Sequence, residues 1–237
     1  MLSELGVRQG RELGSYLVRS GARLDALYVG PRRRHTQTAE AMLAGVRAAG
    51  GELPAAATLT GFDEFPFHEI LRAAAPLIAR ESTALREQLG GADPLRERRS
   101  FDRLFMLAMT HWIAGELDGK APETFTYFVG RVRAGLSAVM AAPGRGRTVA
   151  VVTSAGPIAA AVQVGLELAD KMVLKLCSVL ANTALAELRY RGDAAELPLG
   201  SPVASRSGPA ELAKLEALTV VSFNTIPHLP PALVSYR

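Results

Sequence analysis

Cysteine is nearly absent: Cys177 is the one cysteine in 237 residues. No disulfide can form within the chain, and a reducing compartment is expected. Long apolar runs are missing too; none approaches the ~20 residues that span a bilayer. Met1 is not followed by a basic stretch and then an apolar one, so no secretory leader is read there. Neither sign of charge dominates. Lys and Arg number 27 against 23 Asp and Glu, a net +4, which pulls weakly on anions and falls short of a nucleic-acid-binding surface. No internal repeat and no heptad seam is visible. These absences predict a soluble, cytoplasmic protein with no membrane and no nucleic-acid partner. What is present is ordinary for a globular chain, with 49% apolar and 21% charged residues, enough for a sizeable core.

Hydrophobic periodicity and turn residues divide the chain. Ser3 stands as a helix N-cap with Glu4 in the first turn, where negative charge suits the helix dipole. Val7, Gly10, Leu13, Gly14 and Leu17 recur at helical spacing, and Gly21 is the expected C′ residue. "DALYVG" reads as a short buried strand. "PRRRHTQTAEAMLAGVRAAGG" reads as a loop entering a second helix, closed by Gly50 and Gly51. "LPAAATLTGFDEFPFHE" reads as strand or extended chain followed by a Pro-rich loop. Residues 69–141 read as a helical block, broken at "GGADP" and "DGKAPET", with Pro122 and Glu123 marking a helix start.

"TVAVVTS" is a buried strand that runs straight into the helix "AGPIAAAVQVGLELA", with Pro157 in its first turn. "ALAELRYR" and "ALTVVSFN" are the last strands, separated by a Gly-, Pro- and Ser-rich stretch over 192–211 that reads as a surface loop. The alternation predicts an α/β fold. The expectation is one domain over 1–237, a three-layer α/β/α sandwich with a mostly parallel sheet and the helical block inserted beside it. The first helix has no strand in front of it, which a right-handed crossover would need.

Ligands of such sheets bind beyond the carboxyl ends of the strands, which selects three segments. In "YVGPRRRHTQTAE" three arginines precede a helix start, a pattern that fits phosphate oxygens but equally a solvated face or a nuclear-targeting lookalike. In "AVVTSAGPIAAA" a strand, a small turn and a helix start place Ser154, Ala155 and Gly156 at an anion-friendly terminus. "VTSAG" nearly matches the Gly-x-Ser-x-Gly nucleophile elbow, with His228 as the base, but Val152 stands where the first glycine belongs. A serine that only caps its helix is the simpler reading. In "GFDEFPFHE", Asp63, Glu64 and Glu69 are either loop acids in water or a proton donor held against Phe62, Phe65 and Phe67. The histidines His35, His68, His111 and His228 show no metal-ligand spacing. His111 reads as a helix-packing residue beside Trp112, and His35, one residue past Arg34 on a helix, is expected to point elsewhere.

Taken in order, these pieces resemble the histidine phosphatase superfamily, the phosphoglycerate mutase-like fold. "LSELGVRQGRELGSYL" resembles its Leu-Thr/Ser-x-x-Gly-x-x-Gln helix, and "YVGPRRRHTQTAEAM" its Ser-Pro-Leu-x-Arg-Ala-x-x-Thr-Ala-Glu segment. "VAVVTSAGPIAAAV" is similar to its Val-Val-Ser-His-Gly-Gly-x-Ile strand and helix, and "ANTALAELRYR" and "VVSFNTIPHL" to its closing strands and tail. The resemblance implies a phosphoryl-transfer pocket that needs no metal and no cofactor, because fixed cations neutralise the phosphate. Its implied partner is a phosphorylated small molecule or a phosphoprotein. Position by position, it implies Arg34 as the second phosphate arginine, with Arg32 and Arg33 out of register. It implies Glu64 as the catalytic proton donor, with Glu69 as a rival. Ser154 falls in the place of the second histidine, Gly156 matches the second glycine after it, and His228 matches a structural tail histidine.

Two departures carry consequences. The Arg-His-Gly motif, whose histidine takes the phosphoryl group in the family, is absent; in relatives it lies on a strand before the helix that starts here at Ser3. A mis-called start or a truncation is the expectation, with a genuinely short protein as the alternative. Loss of that inner strand is expected to leave two neighbouring strands without ladder partners. The chain as written is therefore expected to have negligible phosphatase or mutase activity, with a non-catalytic phosphate-ligand or protein-binding relative as the alternative. The second departure is Ser154, which brings a hydroxyl but no positive charge; losing one such stabiliser costs ~3 to 4 kcal/mol in a transition state. Arg80, Arg86, Arg96, Arg98, Arg99 and Arg103 of the helical block face either an anionic substrate or solvent.

Overall fold

The first helix, α1 (Glu4–Arg19), begins on Ser3, whose hydroxyl accepts a hydrogen bond from the Gly6 amide at 3.1 Å. It ends through Ser20 into Gly21 at φ +70°, a backbone that glycine adopts without penalty. In the computed structural model, which describes residues 1–81, 83–90, 98–141, 146–190 and 218–236, the chain continues through β1 (Ala26–Val29), α2 (Arg33–Ala48) and β2 (Ala56–Thr58). The helical block follows as α3 (Phe67–Glu81), α4 (Thr83–Leu89), α5 (Arg98–Ile113) and α6 (Phe125–Met140). Then come β3 (Val149–Val152), α7 (Ala155–Gly165), α8 (Met172–Val179), β4 (Leu185–Arg189) and β5 (Thr219–Thr225). The surface loop expected over 192–211 and, beyond Gly90, the break expected at 90–94 lie outside the described residues.

Boundaries shift where capping chemistry overrides the pattern. The helical block starts at Phe67, and α6 starts on Thr124 rather than at Pro122, because the Thr124 hydroxyl accepts from the Tyr127 amide at 3.1 Å. Helix α8 has no counterpart in the sequence reading. It is short and enters from Lys171 without a side-chain cap, so neither length nor a start signal marks it.

The protein is an α/β fold whose first three strands make a parallel sheet in the order β2-β1-β3. β4 and β5 pair with each other antiparallel, with register shifts along the ladder, so the parallel expectation holds for the first sheet only. Among the described residues the strands form two separate sheets: β3 has no ladder partner on the side away from β1, and β4 and β5 pair only with each other. β1 ladders with β3 from Ala26↔Val149 to Val29↔Val152 and with β2 from Leu27↔Ala56 to Val29↔Thr58. Direct pairing removes the cost of unmet backbone groups inside a sheet.

Strand alternation sends side chains to two faces. Leu27, Ala150 and Val152 meet Leu13 and Leu17 of α1 and Met42 of α2 on one side. Tyr28, Val149 and Val151 meet the larger core on the other, built by α3, α5, α6 and α7 around the fully buried Trp112 and Phe128. Helices thus cover both faces of this sheet. α1 and α2 lie backbone against backbone: a methyl at Gly14 would overlap the Met42 carbonyl, and one at Gly45 the Arg11 carbonyl. Among the described residues, no helix is long and apolar enough to cross a membrane.

Candidate functional site

The carboxyl ends of β1 and β3 are held in step. The Gly30 amide donates to the Val152 carbonyl at 2.9 Å, and the Thr153 hydroxyl donates to the Phe62 carbonyl at 2.7 Å. Around this junction the start of α2, the loop after β2 and the turn into α7 come together. Glu64 lies at their centre, its side chain 5% exposed. The Phe65 amide donates to Glu64 Oε1 at 3.1 Å. The other oxygen, Oε2, receives Arg34 Nη2 and the Gly156 amide, each at 3.4 Å. Charge-assisted bonds ordinarily run near 2.7 to 2.9 Å, so these two contacts between Oε2, a guanidinium and a helix N-terminus are long ones. Gly156 cannot carry a side chain here, because a Cβ would strike the Glu64 carboxylate and the Phe65 ring.

Ser154 is the N-cap residue of α7, yet its side chain makes no cap bond. Its Oγ lies 2.9 Å from His35 Nε2 instead. The His35 ring is 1% exposed and fits because Gly30 has no side chain; a Cβ there would meet Nδ1. Nδ1 packs on the Gly30 backbone without a well-aligned hydrogen bond. Burial and then the neighbouring Arg34 charge, with help from Arg32, push the imidazole down to about 4, against an upward pull from the Gly30 backbone and Asp63. His35 is neutral at neutral pH.

A second layer braces the Glu64 loop. Arg32 donates from Nε to Asp63 Oδ1 at 2.6 Å and from Nη2 to the Glu64 carbonyl at 2.8 Å. Arg131 grips both oxygens of Glu123 at 3.0 Å and donates from Nη1 to the carbonyls of Gly61 and Asp63, at 3.2 and 2.6 Å. Trp112 Nε1 donates to the Glu123 carbonyl at 2.8 Å. An open cleft of about 360 Å³ runs beside this brace, lined by Arg32, Thr60, Asp63, Glu64, Pro66, Pro122, Glu123, Tyr127 and Arg131. It reaches Glu64 but is not lined by Arg34, Ser154 or Gly156.

The structure therefore brings Arg34, Glu64 and Gly156 into contact and seats Ser154 two residues from Gly156. It keeps other candidates apart. Glu69 is exposed in the first turn of α3. His228 Nε2 meets Thr183 Oγ1 at 3.1 Å beside Tyr16, not Ser154, and burial lowers its pKa against the upward pull of Glu12. Arg80, Arg99 and Arg103 are exposed, while Arg96 and the side chains of Arg86 and Arg98 lie outside the description. Three readings are corrected. His35 points into the site, because the first turn of α2 sits against Gly30. Ser154 does not cap its helix with its side chain, because His35 takes the hydroxyl. His111 bridges Glu81 and Glu116, at 3.0 and 2.7 Å, while the neighbouring Trp112 does the packing. His35, Arg131 and Glu123 went unread as site residues. Gly30, a glycine at a strand end just ahead of a histidine, was the signal for the first; the other two had none.

Among the described residues, no group of three or more His, Cys, Asp or Glu is placed to hold a metal ion. No family model matches the chain, and no curated protein matches it significantly.

Proposed function

We propose that this protein is a phosphate-handling domain of the histidine phosphatase type, with a phosphoglycerate mutase-like α/β/α sandwich, that binds phosphomonoesters at the carboxyl ends of β1 and β3. The observation that carries the reading is the surroundings of Glu64 Oε2. An anionic oxygen stands there between Arg34 Nη2 and the Gly156 amide, 3.4 Å from each, and the anion is the protein's own carboxylate. A phosphate oxygen makes the same demands, a guanidinium and a free amide at a helix start.

In this reading Arg34 neutralises the phosphate, the Gly156 amide and Ser154 hydroxyl hydrogen-bond its oxygens, and the Glu64 carboxylate gives up its place to the ligand. The ligand is a phosphorylated small molecule or a phosphoprotein. Phosphoryl transfer to the protein needs an open nucleophile. His35 and His228 are 1% and 3% exposed, His111 lies between two glutamates, and His68, exposed in the first turn of α3, has its ring beside Phe67. The reading is therefore one of binding with negligible turnover.

Thermal melts with inorganic phosphate, run beside p-nitrophenyl phosphate turnover, test this. The expected result is a phosphate-dependent rise in Tm that is lost in Arg34→Met, with negligible turnover. Absence of any rise would remove the phosphate site, and rapid hydrolysis abolished by Arg34→Met would replace binding with catalysis.

A further inference from the structure

We propose that anion binding at Ser154 is coupled to the uptake of one proton by His35, so that the buried imidazole adds a second positive charge to that of Arg34. The inference rests on the phosphate-site reading above and adds a positioning residue and a pH dependence to it.

The geometry gives the imidazole two neighbours and, when neutral, one N–H to share between them. Nε2 faces Ser154 Oγ at 2.9 Å, and Nδ1 faces the Gly30 backbone. A ring whose Nε2 carries the lone pair takes the hydroxyl hydrogen of Ser154 inward and turns an acceptor oxygen toward any incoming ligand. Protonation reverses this. Nε2–H then donates to Oγ, the hydroxyl hydrogen swings outward, and an anion meets a donor backed by a positive charge. No covalent bond changes: one proton moves from solvent to Nε2 as the anion arrives.

The charged groups around the ring decide when this happens. Arg34 and Arg32 of the α2 start oppose a charge on His35, as does burial, and Asp63 of the loop after β2 favours it. Asp63 is itself committed to Arg32 at 2.6 Å, and Glu64 of the same loop faces Arg34 and the α7 start. Without an anion, burial and the two arginines keep the ring neutral. A dianion against Ser154 and Arg34 offsets the arginine charge and adds its own attraction, which tips the ring to imidazolium. The same balance argues against His35 as a base for a Ser154 nucleophile, since without an anion nothing near the ring stabilises the imidazolium such a step creates.

Sulfate is the probe, because it stays a dianion across the working range and takes up no proton itself. Titration calorimetry at about pH 7.5 and about pH 5.5, in buffers of differing ionisation enthalpy, reads affinity and proton uptake together. The expected result is binding at least ~10-fold tighter at the lower pH with about one proton taken up. In His35→Gln, whose amide can still reach Ser154, sulfate binding becomes weak and independent of pH. Ser154→Ala, a half-buried position that leaves the ring in place, should lose most of the pH dependence if His35→Gln does not fold. Binding without proton uptake, or uptake that persists in His35→Gln and so belongs to Glu64 or Asp63, overturns the inference and leaves the phosphate site standing. Failure of sulfate and of inorganic phosphate to bind at any pH overturns the phosphate site itself.

Discussion

His35 Nε2 and Ser154 Oγ lie 2.9 Å apart although 119 residues separate them in the chain. The contact fastens the start of α2 to the start of α7 across the β1–β3 ladder. It also withdraws the Ser154 hydroxyl from its own helix, whose Gly156 amide turns to Glu64. An uncharged imidazole thus sits among Arg32, Arg34, Asp63 and Glu64, and the behaviour of the site turns on its protonation.

The first consequence is a loss of stability in acid. The His35 value is about 4 in the folded protein against 6.5 for a free imidazole, so the unfolded chain binds the extra proton first as pH falls. The stabilisation is complete above the free value, declines as pH drops through that window, and is gone below the folded value. About 3 kcal/mol is at stake. Urea unfolding of wild type and His35→Gln at several pH values reads it. The difference between the two proteins should shrink by that amount toward acid; a difference that does not change with pH would show that His35 does not titrate this way.

Arg131→Met should be among the more damaging single changes outside the core. It keeps an aliphatic stem near the Phe128 ring, where the guanidinium now lies 4.8 Å from the centroid. It strands Glu123, 12% exposed, and removes a donor from the Gly61 and Asp63 carbonyls. A cost of ~3 kcal/mol is expected in urea denaturation. Glu123→Gln in the same protein should return part of it, since the stranded charge is then gone. A cost below ~0.5 kcal/mol, the scale of an ordinary surface change, would mean the brace does not hold the Glu64 loop.

Glu64→Gln should strengthen anion binding. The carboxylate stands in the anion position, and a unit charge a few ångströms from another costs ~4 kcal/mol at the effective dielectric of a protein surface. Even with most of that relaxed away, sulfate affinity at neutral pH should rise about tenfold. Weaker binding in Glu64→Gln would mean that the carboxyl helps to hold the ligand rather than competing with it.

Local signals in the sequence carried the elements that capping and periodicity define. Ser3 and Gly21 bound α1 as their chemistry requires, and the strand–turn–helix around Ser154 is plain from "VVTSAGP". The meeting of Arg34, Glu64 and Gly156 was legible because all three follow strand ends, and parallel strands bring those ends to one edge. His35 was not. Neighbours on a helix point about 100° apart, which on the pattern alone sends it away from Arg34's target. At the first turn, however, the long Arg34 side chain reaches Glu64 while the compact ring drops into the space Gly30 leaves open. The Glu123–Arg131 grip, the antiparallel β4–β5 pair and the direct β1–β3 ladder depend on tertiary proximity, which no local pattern encodes.

A crystal structure grown with tungstate, a heavy analogue of phosphate, tests the central claim most directly. The account predicts a tetrahedral anion bound by Arg34, the Gly156 amide and the Ser154 hydroxyl, with the Glu64 carboxylate swung out of the place it now occupies. Tungstate scattered over exposed arginines, with Glu64 Oε2 still seated between Arg34 and Gly156, would contradict it.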